Sequence, residues 1–232
     1  MALLHESMLR GRTETGWLDS LHTFSFGSFR DPQRMGHRSL RVINEDRVIP
    51  GAGFGKHRHQ DMEILTLVIA GALRHKDSLG NGSVIRPGEI QRMSAGRGIS
   101  HSEMNASASE PVHFLQIWIR PAETGVAPSY EQKTINQGAA EGRFHRLASP
   151  EGGLDAVRLL QDAALYQAIL SDGRQATHHF VSGRAGFIQV MAGQIEIGGE
   201  RLGSGDGLQF DDEAQCTVTA TADAQVLLFD LA

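Results

Sequence analysis

A single cysteine, Cys216, stands among the 232 residues, so no internal disulfide is possible and a reducing, cytoplasmic setting is the economical expectation. No basic run stands out and the formal net charge is -5, which argues against direct contact with nucleic acid. No apolar stretch approaches the roughly 20 residues that a membrane helix needs. The opening Met1-Ala-Leu-Leu-His5 has no basic segment leading into a long apolar run, so neither a signal peptide nor a membrane span is expected. Helix signals are scarce too: residues 151–166 carry a weak amphipathic period, but Gly152-Gly153 argues against a helix. Disorder is excluded by a hydrophobic fraction of 40% against 21% charged, ordinary values for a folded globular chain.

What the chain has in quantity is glycine, 27 residues, which suits many tight turns between short strands. Residues 40–50 read as strand, turn, strand. Residues 63–70 are β-branched and stop at Gly71, and residues 73–77 lead into Ser78-Leu-Gly-Asn-Gly82, a hairpin signal. His113 to Ile119 alternates, with Leu115, Ile117 and Ile119 on one face, until Pro121 ends the run. Pro121 to Ser129 has the composition of a linker. Beyond it lie short strands at 157–160, 165–170, 187–191, 194–197, 215–219 and 226–229. Val68-Ile-Ala-Gly71-Ala-Leu73 is echoed by Val190-Met-Ala-Gly193-Gln-Ile195, and Pro87-Gly88-Glu89 loosely by Gly205-Asp206-Gly207. The pattern predicts an all-β chain with a duplicated barrel, the halves being residues 1–125 and 126–232.

The chemistry-bearing residues concentrate in the first half. His57-Arg-His59 follows a glycine-rich segment, and Gly98-Ile-Ser-His101-Ser-Glu103 follows another. In a strand, residues i and i+2 share a face, so His57 and His59 project together, as do His101 and Glu103. Two such pairs on neighbouring strands converge inside a barrel as three imidazoles and a carboxylate. That donor set suits one divalent transition metal ion (Fe, Mn, Co, Ni, Cu or Zn) better than Mg or Ca. A lone His-x-His is common, and buried histidines often only hydrogen-bond; two pairs beside glycines in an all-β context are harder to dismiss. His178-His179 are adjacent, so they point to opposite faces, and no nearby carboxylate completes a second site; the second barrel is expected to be metal-free. His22, His75, His113 and His145 have no partner spacing. Cys216 reads as a core thiol. Gly51-x-Gly53-x-Gly55 is followed by a strand and is no dinucleotide fingerprint. Trp17, Phe24 and Phe26 are candidates to roof the cavity or to plug a barrel end.

The pattern His57-x-His59-x3-Glu63, ending at Gly71, resembles the first cupin motif; Pro87-Gly88 and His101-x3-Asn105 resemble pieces of the second. The twelve residues between Gly88 and His101 exceed the ordinary cupin spacing. That spacer, with the N-terminal stretch Gly16 to Asp31, is similar to the pirin family, and in particular to its bacterial members described as quercetin 2,3-dioxygenases. The likeness runs from about Arg10 to the C-terminus and is strongest through residue 120. It implies a bicupin of two tandem jelly-roll-like barrels with the ligand set His57, His59, His101 and Glu103. Strand parity would place Glu63 on the face of His57 and His59. In many cupins the matching Glu is a ligand, but the pirin resemblance implies instead an inward residue that supports a ligating histidine.

The resemblance further implies a monomeric oxygenase acting on a small flavonol such as quercetin. The metal would act as Lewis acid on the substrate's 3-oxygen, and Glu103 is the candidate general base. Oxygen attack on the activated ring would release carbon monoxide. Two other readings come from different classes: a regulatory protein whose metal state alters partner binding, as in eukaryotic pirins, and a cupin enzyme acting on another enolic molecule.

Overall fold

The computed structural model describes residues 2–232. Among these, twenty strands and two short 3-10 turns make up the regular structure. No described helix is long and apolar enough to cross a membrane. The first half is a sandwich of a seven-stranded sheet, ordered Ser129–Thr134, Glu89–Ser94, Glu63–Ala70, Val112–Ile119, Leu40–Val48, Leu18–His22 and Gly11–Glu14, and a four-stranded sheet, ordered Gly53–His59, Ile99–Asn105, Leu73–Asp77 and Gly82–Ile85. The second half is one nine-stranded sheet, in which the long strands Ala185–Ile197 and Gln215–Leu231 supply most of the pairing.

Residues 40–48 form one continuous strand, where the sequence Asn44-Glu45-Asp46 suggests a turn. Alternation carries Asn44 and Asp46 into the barrel, where both are buried. The interior there is polar: His22 Nδ1 lies 2.8 Å from Asn44 Oδ1, and Ser20 hydrogen-bonds Asp46. Residues 187–191 and 194–197 likewise belong to a single strand, bulged around Gly193.

That glycine explains the internal echo. Gly71 and Gly193 both have left-handed φ, +78° and +80°. A Cβ on Gly71 would sit 2.5 Å from Pro111 O, and one on Gly193 would sit 1.9 Å from Asp223 O. Each half therefore needs, at the same point, a residue with no side chain and a positive φ, because the returning strand's backbone passes against it. Gly193→Ala should cost more than the ~1–3 kcal/mol of a strained left-handed residue, read as a lowered denaturant midpoint. At Gly173 (φ +75°) an added Cβ would meet nothing within 4 Å, so Gly173→Ala should show the conformational cost alone. Equal losses at the two positions would refute the close-approach argument.

The two large sheets pack face to face. Leu65, Leu67, Leu115, Ile117 and Ile119 from the first meet Leu147, Leu165, Phe187, Leu227, Phe229 and Leu231 from the second in one apolar core. The halves also exchange strands. Leu3–His5 pairs with Gly207–Asp211 in the second half's sheet, and Ser129–Thr134 pairs with Glu89–Ser94 in the first half's. Strand pairing thus links the halves in both directions.

Candidate metal centre

His57 and His59 lie on Gly53–His59, and His101 and Glu103 on its antiparallel neighbour Ile99–Asn105. The register sets His101 directly opposite His57, and a bulge follows before Glu103. Ring nitrogens of His57, His59 and His101 lie within 4.8 Å of one another. His57 Nδ1 lies 2.8 Å from the Gly55 carbonyl, so Nδ1 carries the proton and Nε2 presents a lone pair. That lone pair faces His101 Nε2 at 3.1 Å. Burial, reinforced by the neighbouring rings, pushes His59 down to about 4 and His101 down to about 2. Both are held neutral at physiological pH. His59 Nε2 and His101 Nδ1 are buried with no hydrogen-bond partner. Convergent, neutral, under-partnered imidazoles are the condition in which a cation can be held.

Glu103 stands one step further in. Its carboxyl is fully buried, Oε2 accepts from Gln116 Nε2 at 2.8 Å, and Oε1 has no partner. Burial pushes it up to about 7, with the charge of Asp46 adding to the rise and the Gln116 hydrogen bond opposing it. Asp46, itself buried, is pushed up to about 7 in the same way. Glu103 shares its 4.8 Å circle with His101 and His75 rather than with His57 and His59, so His101 joins the two groups.

Glu63 does not join either group. The chain turns through Asp61 at φ +48°, which breaks the parity that would have carried it beside His59. On its own strand Glu63 alternates with Leu65 and Leu67, which face the core between the halves. There its carboxylate accepts from the Leu160 N–H at 3.2 Å and hydrogen-bonds Ser94; no histidine is among its described partners. Phe24, a candidate roof, lies in that same core against Phe187. Phe26 packs edge-on to Trp118, and Trp118 edge-on to His59. Trp17 packs edge-on to Phe54, which lies beside His57.

His178 has a carboxylate after all: Asp230, 52 residues away in sequence, lies 2.9 Å from its Nε2, while Arg184 also donates to Asp230. In the second half, the pairing of Gln175–His179 with Gln215–Leu231 sets His178 opposite Cys216. Burial pushes the Cys216 thiol up to about 12, which keeps it protonated. The histidines without partner spacing find partners through the fold: His22 with Asn44 and Thr13, His113 with Glu45, His145 with Asp155. A cavity of about 400 Å³ in the second half, lined by Ile197, Leu208, Phe210 and Cys216 among others, includes none of the histidine group.

Known proteins share this arrangement of sequence and fold. A family model described as Pirin matches residues 5–119, and one described as Quercetinase C-terminal cupin domain matches residues 146–231. A protein named quercetin 2,3-dioxygenase from Escherichia coli (strain K12) is 44% identical over 231 residues, covering 100% of this chain and 99% of that one. The chain belongs to the pirin family. Its pirin relatives include a pirin-like protein of Caulobacter vibrioides, 41% identical over 223 residues and 96% of each chain. Among solved structures, the bacterial pirin YhhW from Escherichia coli in complex with nickel(II) superposes with a TM-score of 0.94 at 44% identity, over 100% of this chain and 99% of that one. Two cupin domains in one nearly all-β chain, the bicupin architecture of pirins, is therefore the fold.

Proposed function

We propose that the protein holds one divalent transition metal on His57, His59, His101 and Glu103 and serves as an oxygenase that opens a flavonol such as quercetin. The observation that carries this reading is the convergence of the His57, His59 and His101 rings, their nitrogens within 4.8 Å of one another, beside the buried carboxyl of Glu103. Support comes from the relatives named quercetin 2,3-dioxygenase and from the nickel(II) complex of YhhW. When bound, the metal supplies Lewis acidity toward the substrate's 3-oxygen. The side chains do the rest. Glu103, held by Gln116 and raised toward neutrality, is poised to take the 3-hydroxyl proton on Oε1, since a base works best with a pKa near the working pH. His57 keeps its proton on Nδ1 through Gly55, fixing the ring that presents Nε2. Trp118 and Phe54 flank the imidazoles and give a flat aromatic substrate surfaces to lie against.

The test is elemental analysis of freshly purified protein followed by oxygen uptake with quercetin and other enolic substrates. One metal equivalent per chain and quercetin-dependent oxygen consumption are expected. Two equivalents of similar affinity would break the single-site reading. A metal-loaded protein that consumes no oxygen with any such substrate would overturn the oxygenase reading and favour a metal-dependent binding role.

A further inference from the structure

The metal reading uses His101 but leaves its neighbour His75 unexplained. His75 lies on Leu73–Asp77, directly opposite Glu103 in the register, and is fully buried. Its ring is gripped on two sides. Nε2 lies 3.1 Å from Asp77 Oδ2, and the ring stacks on Tyr130 with centroids 4.9 Å apart and planes inclined by 29°. Asp77 is an acceptor several times over: Oδ1 takes the N–H groups of Leu79 and Asn81, and Oδ2 takes the Asn81 side-chain amide. Those donors hold it below the usual carboxylate range against the cost of burial. An ionised carboxylate only accepts, so the His75 proton sits on Nε2 and Nδ1 is a bare lone pair.

Three buried polar atoms around this ring lack partners: His75 Nδ1, His101 Nδ1 and Glu103 Oε1. The three residues offer a nitrogen or oxygen each within 4.8 Å of one another, about what two hydrogen bonds through one water span. Their chemistry is complementary. With its Nε2 lone pair given to the cation beside that of His57, His101 would carry its proton on Nδ1 and be a donor; His75 Nδ1 and Glu103 Oε1 are acceptors. One water accepts once and donates twice, and a buried water makes about three hydrogen bonds. We propose that His75 is a positioning residue: with its proton pinned on Nε2 by Asp77, it fixes a single buried water that joins it to His101 Nδ1 and Glu103 Oε1, and so orients both groups toward the cation. The proposal rests on the metal reading above and deepens it. Asp77 sets the tautomer of His75, His75 sets the water, and the water sets the two residues nearest the chemistry. Metal-bound histidines ordinarily need such a partner for their second nitrogen.

The test combines a crystal structure of the metal-loaded protein with cation affinity by chelator competition and the visible spectrum of a cobalt-loaded form. The wild type should show one ordered water within roughly 2.6–3.2 Å of all three atoms. His75→Phe keeps the ring stacked on Tyr130 but removes both nitrogens, and should weaken cobalt affinity by about 10–100-fold and alter the spectrum. Asp77→Asn keeps an oxygen for the turn at Leu79 and Asn81 but turns an N–H toward His75, reversing its tautomer, and should weaken affinity similarly. His75→Asn restores an acceptor near the position of Nδ1 and should recover most of the affinity, which a purely space-filling role would not allow. If the wild type binds cobalt and the folded His75→Phe and Asp77→Asn proteins match it in affinity and spectrum, the proposal is wrong. Should His75→Phe fail to fold, the comparison of Asp77→Asn with His75→Asn decides. A wild type that binds no cation brings down the metal reading itself, and the wild-type titration alone distinguishes that result.

Discussion

Glu103→Gln is expected to lower quercetin-dependent oxygen uptake by ~10²–10⁴-fold, the range typical for loss of a general base. The substitution keeps the size of the side chain and an amide oxygen, but an amide cannot take a proton near neutral pH. The Gln116 amide can still donate to that oxygen, so the fold around it should survive. Metal content should fall only in part, because the three imidazoles remain. The paired control is Glu63→Gln. Its carboxylate accepts from Leu160 N–H in the seam between the halves, and a glutamine oxygen can do the same. Turnover per bound metal should therefore stay near the wild-type level. Oxygen uptake and metal content measured together on both variants separate the two roles. A dead Glu63→Gln beside a normal Glu103→Gln would mean that the ordinary cupin ligand set operates here and that the proton passes elsewhere.

The second large effect is expected at His101. This ring faces His57 through Nε2 and shares the second group with His75 and Glu103, so its loss breaks both. His101→Ala should weaken metal affinity by more than the ~10–100-fold that loss of a supporting partner causes. A convenient readout is thermal unfolding with and without added metal. A ligand at 100 times its Kd stabilises a fold by about 2.7 kcal/mol. That metal-dependent shift should be present in the wild type and absent in the variant, while the melting temperature in chelator stays comparable. A variant that keeps its metal-dependent shift would show that His101 is structural and that the cation lies elsewhere.

How much of this is visible in the sequence depends on the range over which each signal acts. The two i, i+2 pairs are legible because strand alternation is local, and the structure does gather His57, His59 and His101. The internal echo at Gly71 and Gly193 is legible because it marks a backbone position that only glycine fills well. Parity misplaces Glu63 because it is carried across a bend; Asp61, a non-glycine residue at φ +48°, resets the count, and nothing in Gln60-Asp61-Met62 announces that conformation. Asn44 and Asp46 read as a turn because polar residues in a strand look like a break, until the far strands bring His22 and Ser20 to meet them. His75 reads as lacking partner spacing although His75-x-Asp77 has the same spacing as His57-x-His59. A carboxylate two residues from a histidine is common, and only the fold shows it buried behind His101. The partner of His178 lies 52 residues away, beyond any local pattern.

The exchange of strands between the halves has a consequence for how the chain is made. Leu3–His5 is made before every other described strand, yet its pairing partner, Gly207–Asp211, follows only after the whole first barrel. The sheet behind the metal centre lacks its outermost strand until Ser129–Thr134 emerges, and that strand brings Tyr130 to clamp His75. Domains of a nascent chain commonly fold in order, N-terminal first. Here the sheet behind the metal centre must wait for Ser129–Thr134, and Leu3–His5 must wait for the second barrel. The clasp fastens only once Gly207–Asp211 is available, so a chain truncated before that strand carries every proposed ligand yet lacks the pairing that joins the halves.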